Sequence, residues 1–188
     1  MALALAAAPL AGCGVNAIPT AEENAKARMA DLQSQYQRRA DLIPNLVSTV
    51  KAAGAQEKDI LVQVTQARAG ASSTQLSGDD LKDPAKVAAF QRAQGAVTVS
   101  LQRLQEAYPE LKSQGNYTTL MSQLEGTENR IGIARDDYNA AVQSYNTRIR
   151  TFPDAIGARI FYGAKPMVPF AVTTPGADQH APTVNFGS

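Results

Sequence analysis

The sequence predicts an all-α protein: an antiparallel long-helix bundle of four-helix type with an extended C-terminal tail. Three observations carry this. Apolar residues recur at steps of three and four over most of the chain, the period of a helix face and not the alternation of a strand. Hydrophobic residues make up 44 % but aromatics only 6 %, with no Trp, and the abundant Ala and Gln favour helices. Between residues 120 and 145 the apolar steps of four and three alternate, the heptad rule of bundles and coiled coils.

Residues 1–12, MALALAAAPLAG, are uncharged and small or apolar. They are too short for a spanning helix, which needs about 20 residues, and read as a cleaved lipoprotein signal peptide. Leu10-Ala11-Gly12-Cys13 reads as a lipobox, so Cys13 is expected to become the lipidated first residue, acylated with palmitate-type chains. No Lys or Arg precedes the apolar run, which makes Met1 suspect as the true start. The expected localisation is the bacterial cell envelope, facing outside the cytoplasm. Gly14 is not the Asp that retains lipoproteins in the inner membrane, so the outer membrane is favoured in a Gram-negative cell.

Residues 13–19 form the lipidated tether, and the bundle is expected over 20–164. Thr20 can cap a first helix, with Glu22 and Glu23 near its positive end. Ala25, Met29, Leu32, Tyr36, Ala40, Ile43, Val47 and Val50 form its stripe. Pro44 predicts a kink or break near residues 40–43, since Pro removes one helical hydrogen bond and crowds the preceding turn. Asp41 would then cap the segment that restarts there. Gly54 marks a stop. A second helix is expected over 57–71, with Ile60, Val64, Ala67 and Ala71 on one side. A polar loop, SSTQLSGDDLKD, covers 72–83.

Asp83-Pro84 supplies a cap followed by Pro at the first helical position. The third helix carries Val87, Phe90, Val97, Leu101, Leu104 and Tyr108. The fourth is expected from near Asn116 to Arg150, with a seam of Leu120, Leu124, Thr127, Ile131, Ala134, Tyr138, Ala141, Tyr145 and Ile149. Phe152-Pro153 closes it, and 155–163 can form one more short apolar helix. The Pro-rich remainder, 165–188, reads as an extended or disordered tail that docks Phe170 and Val172.

Composition narrows the function. The formal net charge is +1, from 18 basic and 17 acidic residues, which leaves no footprint for nucleic acid. One Cys and one His exclude an internal disulfide framework and a Cys/His zinc site. No Gly-rich phosphate loop is present. No cofactor or metal is expected. Tyr108, Tyr138 and Tyr145 read as core aromatics with hydrogen-bonded tips.

Two polar segments lie against the apolar stripe. The first spans 36–47 and holds Arg38, Arg39, Asp41 and Asn45. The second spans 125–139 and holds Glu125, Glu128, Asn129, Arg135 and Asn139. In an antiparallel pairing Arg38 or Arg39 would meet Glu125 or Glu128, and Asn45 would meet Asn139 or Tyr138. Arg–carboxylate forks of this kind fix register. These nine residues are expected to form a structural polar network or a partner surface. A catalytic role for Glu125 and Glu128 with Asp136 and Asp137 is disfavoured, because the same face offers Arg130 and Arg135 to pair them.

At these residues the chain resembles the LemA family. RRADLIPNLV (38–47), Glu57-Lys58 with Ala67-Arg68-Ala69, YPELK (108–112) and LEGTENRIGIARDDYNAAVQSYNTRIRTFP (124–153) are the family's hallmark segments in order, within about residues 16–165. Met29 stands where members often have Trp, and Ala52-Ala53-Gly54 replaces a family Gly-Tyr. The resemblance implies an antiparallel bundle exposed outside the cytoplasm, often behind an N-terminal transmembrane helix. It brings no agreed activity. Some members belong to membrane-organelle gene sets in magnetic bacteria, and others sit near membrane metalloproteases.

The expectation is therefore a non-enzymatic envelope lipoprotein, attached to the membrane through lipidated Cys13 and serving protein partners or self-association as a structural or adaptor module. An accessory or regulator of an envelope protease or stress system is the alternative. A hydrolase using Glu125 and Glu128 ranks last.

Overall fold

The computed structural model describes residues 16–54 and 57–170. Cys13, the apolar leader, Val172 and His180 lie outside these, so nothing structural bears on the expectations placed there. The described residues are helical apart from short connections, with no strand among them. Four long helices follow one another up and down: α1 (Ala17–Ala52), α2 (Lys58–Ser73), α3 (Pro84–Ala107) and α4 (Gly115–Arg148). A one-turn helix, α5 (Asp154–Gly157), and a single π turn (Ala158–Tyr162) close the helical part.

The apolar stripes become the packing faces. α4 lies antiparallel along α1, and α3 along α2, while α3 and α4 touch each other little. At 36 and 34 residues α1 and α4 are each about 50 Å long at 1.5 Å per residue. α2 has only 16 residues and ends partway down α1. The space beyond it is filled by the 72–83 connection, which is not merely a polar loop. Leu76 and Leu81 are buried, a 3-10 turn spans Gly78–Lys82, and Gln33 Nε2 donates to Leu76 O at 2.8 Å.

Two apolar cores result. One gathers Ile18, Met29, Leu32, Phe90, Tyr138, Tyr145 and Phe170 around the start of α1 and the end of α4. The other gathers Ile43, Leu46, Val50, Val64, Leu104, Tyr117 and Leu124 at the opposite end. There Tyr108 Oη accepts from Glu57 N at 3.1 Å and donates to Glu57 O at 3.3 Å, pinning the α1–α2 connection.

The first helix departs from expectation in three ways. It begins at Ala17, with Asn16 in the capping position, and Thr20 Oγ1 instead donates back to Asn16 O at 2.7 Å. It runs unbroken through Pro44. Proline cannot donate to the carbonyl four residues earlier, which is Ala40's. Arg68 Nε of α2 donates to that same Ala40 oxygen at 2.7 Å. The acceptor that proline orphans is thus satisfied from a neighbouring helix, removing the main penalty against continuing. With no restart, Asp41 caps nothing: it is exposed and accepts from Gln37 Nε2 at 2.7 Å.

Gly54, at φ 87°, ends α1 in the left-handed region. Asp83 caps α3 as expected, its side chain accepting from Ala85 N and Lys86 N.

Candidate functional site: a buried arginine, a strap and an open groove

Arg39 projects from mid-α1 into the boundary between the two cores and is only 2 % exposed. Burying a guanidinium requires that its donors be satisfied. Nη1 donates to Glu128 Oε1 at 2.6 Å and to Thr98 Oγ1 at 3.0 Å. Nη2 donates to Gln94 Oε1 at 2.8 Å and to Gln94 O at 3.1 Å. Gln94 Nε2 in turn donates to Ala71 O of α2 at 3.4 Å. One guanidinium therefore joins α1, α3 and α4 directly, and reaches α2 through Gln94. Its carbon lies 5.1 Å from the Tyr36 ring centroid, within cation–π range. Burial pushes the Tyr36 hydroxyl's pKa above its ordinary value, with the Arg39 charge opposing. The crevice beside this layer measures about 40 Å³, near the space of one water molecule.

The nine residues singled out from the sequence separate. Arg39 and Glu128 meet. Arg38, Asp41 and Asn45 are exposed. Arg135 sits 3.9 Å from Asp136, and its buried Nε has no hydrogen-bond partner. Asn139 does not meet Asn45: its Nδ2 donates to Phe170 O at 3.1 Å and its Oδ1 accepts from Phe170 N at 2.8 Å. Glu125 and Asn129 are exposed on the rim of a groove.

Asn139 belongs to a device not read from the sequence. Asn146, seven residues on, clamps Met167 in the same two-bond manner, at 2.8 and 2.9 Å. Tyr138 Oη donates to Val168 O at 3.0 Å, and Tyr145 Oη to Lys165 O at 3.1 Å. Two Tyr-Asn pairs one heptad apart thus hold the backbone of residues 165–170 as an extended strap along α4. The strap's Val168 N also donates to Leu81 O at 2.8 Å. Phe170 packs edge-on to Phe90 and Tyr138, at 5.9 and 5.1 Å between centroids. Burial pushes the Tyr138 hydroxyl's pKa up to about 12. The signal was there to find in the repeated Tyr-Asn spacing. Gln94 and Thr98 carried one too: Gln94 is a polar residue at a core position between Phe90 and Val97.

Where α3 and α4 touch little, a groove of about 710 Å³ opens between them, with Leu101, Met121 and Leu124 among its lining and Gln102, Gln105, Glu125 and Asn129 beside them. The lining holds two carboxylates, Glu125 and Glu128, and no Lys or Arg. Among the described residues no three His, Cys, Asp or Glu side chains gather as a metal site, and no helix is long and apolar enough to cross a membrane.

The LemA family profile matches residues 28–186. The chain belongs to the LemA family. Among curated proteins, magnetosome protein MamQ 2 of Paramagnetospirillum magneticum is 30 % identical over 157 residues, covering 73 % of this chain and 58 % of that protein. Magnetosome protein MamQ of Magnetospirillum gryphiswaldense is 29 % identical with the same coverage. The chain thus spans 58 % of the length of these LemA relatives.

Proposed function

We propose that this LemA-family chain is a membrane-attached envelope protein, held by lipid on Cys13 outside the cytoplasm, that works as a non-enzymatic adaptor. Membrane attachment is supported by the Leu-Ala-Gly-Cys sequence at 10–13 and by relatives named as magnetosome proteins. The adaptor reading rests on the α3–α4 groove. Its apolar floor of Leu101, Met121 and Leu124, lying between two helices, suits the apolar stripe of one amphipathic helix. With no Lys or Arg in its lining, the groove favours a helix that brings a basic side chain beside its apolar stripe. Glu128 is already engaged by Arg39, which leaves Glu125 as the rim charge open to a partner.

A photo-crosslinker at Gln102, in cells, tests this. The expected result is one dominant adduct that maps to an amphipathic basic segment and disappears in Glu125→Lys, while a crosslinker at exposed Val62 does not form it. An adduct indifferent to Glu125→Lys, or shared by both positions, overturns the groove as the adaptor surface. A self-adduct, checked by light scattering, would make the partner a second copy.

A further inference from the structure

The end of the bundle beside Asn16 carries an apolar surface that the adaptor reading does not use. Just after α4 the chain exposes Phe152 (82 % exposed), Ile156 (54 %), Ile160 (68 %) and Phe161 (70 %) within ten residues. Large apolar side chains crowded on one short exposed segment mark a contact surface. Elsewhere among the described residues the exposed large apolar side chains are scattered singly, at Val62, Val99 and Ile133.

The turn is rigidly based. Ala158 is buried in the same core as Ile18, Met167 and Tyr145, and a methyl at Gly157 would lie 4.0 Å from Ile18 Cδ1. Gly163, at φ 52°, turns the chain left-handed, with Ala164 N donating to Ala158 O at 3.0 Å across the π turn. The apolar side chains of the turn are thus left to solvent while its base, Ala158, is held in the core.

We propose that this turn, residues 152–161, enters the interfacial layer of the bilayer and seats the bundle end-on against the membrane. The proposal rests on the membrane attachment argued above. Three observations favour lipid as the occupant. Position is the first: Ile18, at the start of α1, is in the core beneath the turn, and only Gly14 and Val15 lie between Cys13 and Asn16, three residue steps. A chain of that length reaches at most about 11 Å, so a membrane-held Cys13 keeps the turn at headgroup level. Charge is the second. Arg150, Arg159 and Lys165 are exposed around the apolar side chains, while the segment's one carboxylate, Asp154, is matched by Arg148 at 3.7 Å. A basic collar around an apolar tip suits anionic headgroups above an acyl boundary. The third is composition, since Phe and Ile flanked by Arg and Lys is the pairing that interfacial segments use.

The chain contains no Trp, so a single introduced Trp reports its own surroundings. Phe161→Trp in the full chain, reconstituted into vesicles of phosphatidylethanolamine and phosphatidylglycerol doped with brominated phosphatidylcholine, should show blue-shifted emission and strong bromine quenching. Ile160→Trp should behave alike and guards against a local folding defect in the first variant. Val62→Trp, at the opposite end, should stay red-emitting and unquenched. Arg150→Glu with Arg159→Glu should reduce the quenching several-fold on these anionic vesicles. If the chain floats with the vesicles but both tip reporters stay unquenched, the tip proposal is overturned and attachment stands. If the chain does not float, both fall. Blue-shifted emission before vesicles are added would mean that the turn is covered by this chain or a second copy, and would also overturn it.

Discussion

The two ends of the bundle are built from the same helices yet held by different forces. At the strap end the core is roofed by backbone. Four side chains of α4 reach the 165–170 strap through six hydrogen bonds, and Lys82 bridges Glu22 of α1 to Asp79. At the far end packing is almost wholly apolar, the Tyr117 hydroxyl is buried with no partner, and the α3–α4 groove stays open. Arg39 sits where one regime gives way to the other. The lesson is that an extended element held by α4 can seal one end of the bundle against Phe90 of α3, and that where no such element lies the face between α3 and α4 stays open as a groove.

Removing the guanidinium should disturb both ends at once. Arg39→Ala leaves Gln94, Thr98 and Glu128 without their shared donor, and we expect a loss of about 2–4 kcal/mol in chemical denaturation. The figure is set below the top of the range for a broken buried pair, because Glu128 remains 40 % exposed and can hydrate. Arg39→Lys should recover only part of this, since an ammonium cannot fork to Gln94 and Glu128 together. If Arg39→Ala costs under about 0.5 kcal/mol, the layer does not couple the two cores.

Cutting the strap should separate the ends. Asn146→Ala removes two hydrogen bonds, and each buried partner left unmade costs about 1 kcal/mol or more, so a loss of about 1–3 kcal/mol is expected. Amide exchange at Met167 should accelerate, while that of α2 and α3 near Leu61 and Leu104 stays as before. Equal acceleration at both ends would mean that the bundle opens as one unit.

How much of this was legible from residues alone follows the same division. Helix positions and the seams follow from a 3.6-residue period read along single helices, and antiparallel pairing narrows the ion pair to Arg38 or Arg39 with Glu125 or Glu128, of which Arg39 and Glu128 meet. The strap followed only in part: an extended segment docking Phe170 and the bonded tips of Tyr138 and Tyr145 were expected and are seen, but the clamp itself was not, because the residues that hold the strap lie 20 to 31 positions earlier. Pro44 misled for a related reason: the compensating donor, Arg68, is 28 residues away. Local rules price the lost hydrogen bond but not its replacement. Antiparallel pairing alone would bring Asn45 to Asn139 or Tyr138, yet Asn45 faces solvent while Asn139 and Tyr138 both hold the strap.

Acid should loosen the strap end first. Burial works against ionised Glu22, but hydrogen bonds and charge from Lys82 and Lys26 together outweigh it and hold the pKa below the ordinary 4.5. A carboxyl depressed in the folded state binds fewer protons there than in the unfolded chain, so stability rises with pH across this window. The contribution is complete above about pH 4.5 and is lost as pH falls through the lower folded-state value. With a surface-accessible triad it should amount to about 1 kcal/mol or less. Glu22→Gln should flatten the acid limb of stability against pH below 4.5, and an unchanged limb would remove this triad as its source.

The smallest expected effect lies at the open end and has the opposite sign. Gly126 is in the middle of α4 and lines the groove, and a methyl added there would meet nothing within 4 Å. Glycine in a helix interior is less favourable than alanine by about 0.8–1 kcal/mol, so Gly126→Ala should stabilise the isolated protein by up to about 1 kcal/mol. Gly132, also in α4 with no neighbour within 4 Å of an added methyl but outside the groove lining, should give a similar gain on change to Ala. The two variants part only if a partner helix occupies the groove. Gly126→Ala would then narrow its floor and weaken the Gln102 crosslink, whereas Gly132→Ala would leave it intact. Equal crosslinking in both variants would mean that α4 approaches no partner backbone at Gly126.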